Sequence, residues 1–521
     1  MKSERMKTTM NGALVLTAAA LIAKILSAVY RIPFQNIVGN TGFYVYQQIY
    51  PIYGIGVTLA LNGLPVFISK LIAEEDDPAR KQEIITKLLI ILTLLGCGMF
   101  LFLQTGSGWL AETMGDHRLQ PLVSSVSWMF LLIPFLASSR GYYQGIFKMG
   151  PTAISQVSEQ FVRVVLIIGA AVIGSHLQWS VYKIGSLAMF GSVAGGLTAV
   201  FTLAPAFRNF KLTRVFKQKH VSFAKLTKQV FKDGMIICLF SALMVILQLV
   251  DSFTVLRGLR HLGMAVDHAK FIKGVYDRGQ PLVQLGMTVA FSFSATLLPS
   301  LTFAFKKGQK GNYQRVSRSM LHAGISLAIA ATAGMISLMP EINLLLFGDS
   351  RLTVTISCYV LSVPLISALS IFNAILQSRG HFRGTFFAAI VTIICKILTN
   401  SWMIALFDIT GAAISTDLSL CVGLAVVVIS CPSDLFERKP WDVKFAARLA
   451  FCTLLMSLIV WIVMMIVSWF MQITRATACV LVPLGIVVGI VVFVYGAVKV
   501  GLLTKKEWKV FPGGRKIVRR M

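Results

Sequence analysis

The stretch YQQIYPIYGIGVTLALNGLP at residues 46–65 and the stretch YDRGQPLVQLGMTVAFSFSATLLP at residues 276–299 decide how this chain folds. Each opens on Tyr, runs into an apolar segment and closes on Leu-Pro, and the closing prolines, Pro65 and Pro299, lie 234 positions apart. A second pair of landmarks nearly repeats the offset. PFLASSRGYYQGIFKMG starts at Pro134 and PLISALSIFNAILQSRG at Pro364, 230 positions later, and each reaches Gly at its seventeenth residue. Two landmarks at almost one spacing indicate a duplicated unit. Parallel repeats of this kind are a known transporter architecture, in which two similar bundles rock about a central cleft.

The composition says where such units reside. Of 521 residues, 56% are hydrophobic and 13% charged, against about 25% charged in soluble domains. So few charges cannot cover a water-facing surface. At about 20 apolar residues per crossing the chain can supply about 14 membrane helices. Fourteen apolar segments are read, at 10–34, 43–69, 86–104, 122–147, 152–174, 183–206, 235–256, 279–303, 319–339, 352–377, 384–407, 411–431, 446–470 and 477–499. The expected fold is all-α and polytopic, with two six-helix lobes and two further C-terminal helices. The expected divisions are 1–225 (helices 1–6), 226–437 (helices 7–12) and 438–521 (helices 13–14 and a basic tail).

The net charge of +28 tests this reading. In a soluble chain it would suggest nucleic acid; in a membrane protein, cytoplasmic Lys and Arg come first. With both termini cytoplasmic, and with Lys87, Arg140, Lys183, Arg448 and Lys499 counted with the connections next to their spans, 36 of the 49 basic residues fall on the inner side, 8 on the outer side and five within spans or at a span start: Lys24, Arg31, Arg163, Arg278 and Lys396. One missed or invented span would invert every later loop and erase that bias. The chain is thus expected in a membrane, with both termini cytoplasmic and no nucleic-acid partner. The basic residues before the first apolar run imitate a secretory signal, but the run continues through Lys24 to Arg31 and Pro33, which favours a retained helix. Eight scattered Cys without C-x-x-C, seven His without a ligand pattern and the lack of a P-loop motif point to no metal, cofactor or ATP site and to no enzyme.

An ionisable group inside a span is costly and faces a partner or a cavity. Lys24 and Arg31 are seven residues apart, two helical turns, and so share one face. Helix 2 adds Gln47, Gln48 and Tyr50, and Arg278 starts helix 8, its repeat counterpart. Cations at this depth suit an anionic substrate such as a phosphate, and aromatic and amide groups suit sugars. Snorkelling to headgroups is the plainer reading of Lys24 and Arg31. Helix 5 carries Gln156, Glu159, Gln160 and Arg163, with Glu159 and Arg163 spaced as an i,i+4 pair, structural or functional. Asp251, Lys396 and Asn400 form a further constellation, either a static pair or a site coupling transport to H+ or another cation. The in-span prolines 51, 65, 134, 299 and 364 free backbone groups that, in lipid, must face protein or water.

The runs ILSAVYRIPFQNIVG, GLPVFISKLIAE, PTAISQVSEQ and VYDRGQPLVQLGMTVAFSFSATLLPSL together resemble the SpoVB/MurJ-like branch of the multidrug/oligosaccharidyl-lipid/polysaccharide (MOP) exporter superfamily. The resemblance spans nearly the whole chain. It implies a monomeric flippase of the bacterial cytoplasmic membrane for polyprenyl-diphosphate-linked glycan precursors, such as lipid II, moving by alternating access. It also implies cavity roles for Lys24, Arg31 and Arg278, and a groove for the polyprenyl tail at helices 13 and 14. Some relatives place sodium between helices 7 and 11. Here Lys396 lies one turn before Asn400, so an ammonium paired with Asp251 is expected to take the ion's role, leaving transport indifferent to sodium. The membrane potential, H+ and Na+ stay open as coupling sources.

Three other functions compete. A drug or organic-cation exporter of the same superfamily should carry acidic groups in its cavity, whereas the N-lobe spans hold three cations against Glu159. A scaffold for envelope or spore assembly has no need of basic residues within spans. A lipid-glycan polymerase would need larger outer loops.

Overall fold

A computed structural model describes residue 16 and residues 18–210, 221–380, 382–432 and 442–508. The basic N-terminus, residues 211–220 of the basic 207–232 connection and the end of the basic tail lie outside these residues. Every regular element among the described residues is helical. Eleven helices are long and apolar enough to cross a membrane, and a twelfth crossing arises if Phe223–Ser241 and Leu243–His261, bent by 69°, count as one. Ala18–Glu74 counts once although it has 57 residues, about 85 Å of helix and more than twice a hydrocarbon core of about 30 Å. It is interrupted at Gly39, whose φ of 70° breaks the helix, and again by a π-turn at Leu59–Gly63. Gly279–Lys306 is a further 28-residue helix. Fourteen stays the expected number of crossings.

Large apolar side chains cover the outside. Ile429 is 83% exposed, Trp469 83% and Phe470 81%. Water would not tolerate a surface of this kind, whereas lipid is its natural solvent.

The duplication is written into the helix lengths. Pro78–Thr105 has 28 residues, followed by Ser107–Thr113 with 7, Gln120–Ser127 with 8 and Met129–Gly145 with 17. In the second half Lys310–Ser337 has 28, Met339–Phe347 has 9, Thr353–Val360 has 8 and Ser362–Ser378 has 17. Each 17-residue helix carries a landmark proline, Pro134 or Pro364, and is parted from its 8-residue partner by one residue, Trp128 or Leu361.

By contacts the chain forms two compact units, Met1–Asp277 and Arg278–Met521. This grouping differs from the expected division at 225/226. Leu243–His261 and Val266–Tyr276 both pack on Arg31–Thr58 and so belong to the first unit. It also differs at 437/438, because Phe445, Leu449, Cys452 and Ala497 share one core with Tyr313, Phe372 and Val427. The lobes proposed from the repeat describe duplicated sequence; the contact units describe packing.

One close approach in the first unit demands glycine. A Cβ on Gly274 would overlap the Asn40 backbone carbonyl, which cannot move aside as a flexible side chain would. Gly274→Ala is therefore expected to lower stability by about 1–3 kcal/mol, the usual cost of overpacking. Thermal unfolding of the purified protein measures it, with Gly263→Ala, at a position with open space around it, as a poor match: its φ of 84° adds strain of its own. Gly311→Ala, in open space within a helix, is the better control.

Candidate functional site

The Arg31–Thr58 helix places Tyr46, Tyr50 and Tyr53 on one face, one turn apart. Their rings form a ladder with centroid separations of 6.3 Å and 5.6 Å. Two arginines from different helices lie over it. The Arg31 guanidinium sits 4.0 Å from the Tyr50 ring centroid, and that of Arg163 sits 4.1 Å from Tyr53. A guanidinium on an aromatic face gains from the ring quadrupole, most of all when desolvated.

The two arginines differ in their partners. Arg163 Nη2 donates to Tyr30 Oη at 2.8 Å and Tyr46 Oη at 3.2 Å, and Nη1 donates to Gln160 Oε1 at 3.0 Å. Arg31 is 1% exposed, yet its Nε and Nη2 have no hydrogen-bond partner within the protein. A charged fork with two unmatched donors is suited to a bidentate oxyanion.

The expected Glu159–Arg163 pair is not what the structure holds. Glu159 Oε2 accepts from Arg140 Nη2 at 2.6 Å. Arg140 also donates to Ser155 Oγ at 3.1 Å and to Ala60 O at 3.2 Å. The reason lies in Pro65: it has no N–H to close the preceding turn, so the carbonyls of the π-turn are freed, and Arg140 serves one of them. The charge distribution assigns Arg140 to the inner connection, whereas the structure buries it fully in Met129–Gly145. With Glu159 neutralised by Arg140, the face carrying Arg31 and Arg163 keeps its positive charge.

The remaining first-unit candidates lie close by in sequence and burial. Gln47, Gln48 and Gln156 are buried, and Gln48 Nε2 donates to Ser252 O. Lys24 is only half-buried, one turn before Ala28 on the helix that leads into Arg31.

Arg278 belongs to the second unit. It grips Asp349 in a bidentate pair, Nη1–Oδ1 at 2.7 Å and Nη2–Oδ2 at 2.9 Å, and Nη1 also donates to Asn343 Oδ1 at 3.3 Å. Asp349 exposes a further trace of the duplication: GDSR at 348–351 matches GDHR at 115–118. Both glycines are left-handed, with φ of 84° and 85°, a conformation that favours glycine. Both acids accept the backbone N–H of the arginine two residues on, at 3.0 Å and 3.3 Å. Asp116 holds Lys270 at 2.7 Å and the Tyr182 hydroxyl at 2.7 Å, as Asp349 holds Arg278.

Burial raises the Asp349 carboxyl, but the Arg278 hydrogen bonds, the Arg351 N–H and both arginine charges outweigh it and hold the group below its ordinary value. A depressed carboxylate stabilises the fold above its unfolded pKa of about 3.9, and that contribution is lost as pH falls through the lower folded value. Acid melting curves should show this component in the wild type and lack it in Asp349→Asn.

In the second unit Lys396 Nζ donates to Asn400 Oδ1 at 2.9 Å, Ala412 O at 2.9 Å and Thr416 Oγ1 at 2.7 Å. These acceptors match the three N–H bonds of an ammonium. Asp251, in the first unit, accepts from the Tyr276 hydroxyl at 3.2 Å. Sequence reasoning overlooked Asp417, which follows Thr416 and whose Oδ1 is buried with no partner in hydrogen-bond range. No group of His, Cys, Asp or Glu arranged to hold a metal occurs among the described residues.

Described residues that are helical throughout their regular elements and sheathed in apolar side chains define a multi-pass membrane protein, here with two arginines buried on a tyrosine ladder. Residues 9–305 match the family described as polysaccharide biosynthesis protein. The chain is 34% identical to the uncharacterised membrane protein YabM of Bacillus subtilis (strain 168), over 98% of this chain and 96% of that protein. It is 24% identical to the lipid II flippase MurJ of the same organism, over 97% of each. A solved structure of a lipid II flippase MurJ in an inward closed conformation superposes with a TM-score of 0.70 at 14% identity, covering 93% of this chain and 98% of that one. The chain belongs to the polysaccharide biosynthesis protein family.

Proposed function

We propose that this chain is a flippase that carries a polyprenyl-diphosphate-linked glycan precursor from the inner to the outer leaflet of a bacterial cytoplasmic membrane, both termini being cytoplasmic. The observation that carries this reading is Arg31, buried within a membrane span with two guanidinium donors unmatched. A diphosphate offers the paired oxygens such a fork takes, and the tyrosine ladder offers faces on which sugar rings stack. The similarity to a lipid II flippase supports the substrate class. An organic-cation exporter would need the opposite charge in this place.

The fixed ammonium of Lys396 takes the role of a coupling cation, so transport is expected to be unaffected when potassium replaces sodium. A strict requirement for sodium would overturn that part. Depletion of the protein in cells tests the substrate: one polyprenyl-diphosphate-linked glycan should accumulate on the inner leaflet. Unchanged lipid-linked pools would contradict the reading.

A further inference from the structure

The second unit contains a cavity of about 560 Å³ far in sequence from the tyrosine ladder. Its walls come from the N-terminal parts of Lys310–Ser337 and Val443–Phe470 and from residues 501–507. Arg315, Arg318, Lys444, Arg448 and Lys505 line it, against two acids, Asp442 and Glu507. Both acids are already engaged. Asp442 caps its helix by accepting from the Lys444 backbone N–H at 3.2 Å. Glu507 accepts from the Thr504 N–H at 2.6 Å and faces His322 Nδ1 at 3.3 Å.

His322 supplies a second, independent sign of a ligand. It is 7% exposed and lines the cavity. Its ring lies flat on Phe445, with centroids 4.0 Å apart and planes 10° apart, and Glu507 takes Nδ1. The opposite nitrogen, Nε2, is buried with no hydrogen-bond partner. An imidazole fixed on both its face and its Nδ1 edge presents Nε2 as a positioned donor once protonated.

The cavity adjoins an apolar one of about 460 Å³, lined by Leu338, Met456, Val460, Ile490 and Phe493. Leu502, Thr504 and Glu507 line the basic chamber, while Leu503 and Trp508 line the apolar groove. A cationic chamber at the end of a groove of about 460 Å³ fits an amphiphile with an anionic head and a hydrocarbon chain. Basic pockets among membrane helices bind lipid headgroups in this way. We propose that this is a binding site for an anionic glycerophospholipid of the surrounding bilayer, with its phosphate among His322, Arg318 and Lys444 and one acyl chain in the groove. The proposal does not rest on the transport reading, and it gives the groove beside helices 13 and 14 to an acyl chain of the bilayer rather than to the substrate's tail.

The test uses the full chain, purified with equal amounts of phosphatidylglycerol and phosphatidylcholine, with bound lipid counted by native mass spectrometry. Wild type should retain phosphatidylglycerol in preference. Arg318→Gln with Lys444→Gln should weaken that retention by roughly thirtyfold, at about one headgroup-attraction increment per cation. Ala331→Trp, which fills the groove, should weaken it as well, while leaving the basic chamber intact. Equal retention of the two lipids, or no loss in the charge variant, would overturn the site. Displacement of phosphatidylglycerol by inorganic phosphate, with no effect of Ala331→Trp, would assign the chamber to a soluble anion and equally overturn the proposal. A polyprenyl phosphate that outcompetes phosphatidylglycerol would do the same.

Discussion

Arg31→Ala should abolish transport while the protein still inserts and folds. Arg31 is 1% exposed, and two of its nitrogens donate to nothing in the protein, so its removal breaks no internal hydrogen bond at Nε or Nη2. The fold loses the stacking on Tyr50 and is relieved of a desolvated charge. The substrate loses two charge-assisted hydrogen bonds, each about 1.5–3 kcal/mol, and hence at least about two orders of magnitude in binding. Arg31→Lys keeps the charge without the planar fork and should fall between the two. Complementation of a depletion strain, with membrane levels checked in parallel, reads both. Wild-type growth with Arg31→Ala would remove this residue from the site.

Arg140→Ala should have the opposite profile, with a large loss of stability. It strips the counter-charge from Glu159, itself 1% exposed, and leaves the Ala60 carbonyl without the Arg140 donor. Breaking a buried pair by removing one partner costs about 3–5 kcal/mol, because the remaining charge is uncompensated. Replacing both partners by apolar residues of similar size is often neutral. The double variant Arg140→Met with Glu159→Met should therefore regain most of the stability that Arg140→Ala loses. Thermal unfolding in detergent compares the three proteins. If the double variant proves as unstable as the single one, Ala60 and Ser155 matter more than Glu159.

The general plan was legible in the sequence because lipid imposes it. Spans must be apolar and helical, so hydropathy announced them, and two proline landmarks announced the repeat. Arg31 and Tyr50 were singled out from polarity alone, and the structure stacks them at 4.0 Å. Partnership was much less legible. The spacing of Glu159 and Arg163 suggests a pair on one helix, but Arg140 approaches from a neighbouring helix and outcompetes it. Arg278 was expected to line a cavity; its bidentate partner Asp349 lies 71 positions later in a loop. That partner could have been found, since GDHR and GDSR recur at the spacing of the repeat. Both motifs lie in loops, outside the apolar runs that carry the proline landmarks. Asp417 escaped for a related reason: its neighbour Lys396 lies on the preceding helix, beyond the reach of helical periodicity.

The central claim is that the Arg31 site carries a lipid-linked diphosphate across the bilayer. The most direct measurement reconstitutes the purified chain in vesicles loaded on one leaflet with a fluorescent polyprenyl-diphosphate-linked disaccharide, and follows its arrival on the other leaflet by quenching. The account predicts transfer well above empty vesicles for the wild type and none for Arg31→Ala. Transfer no faster than in empty vesicles for the wild type, or equal transfer by both proteins, would contradict it.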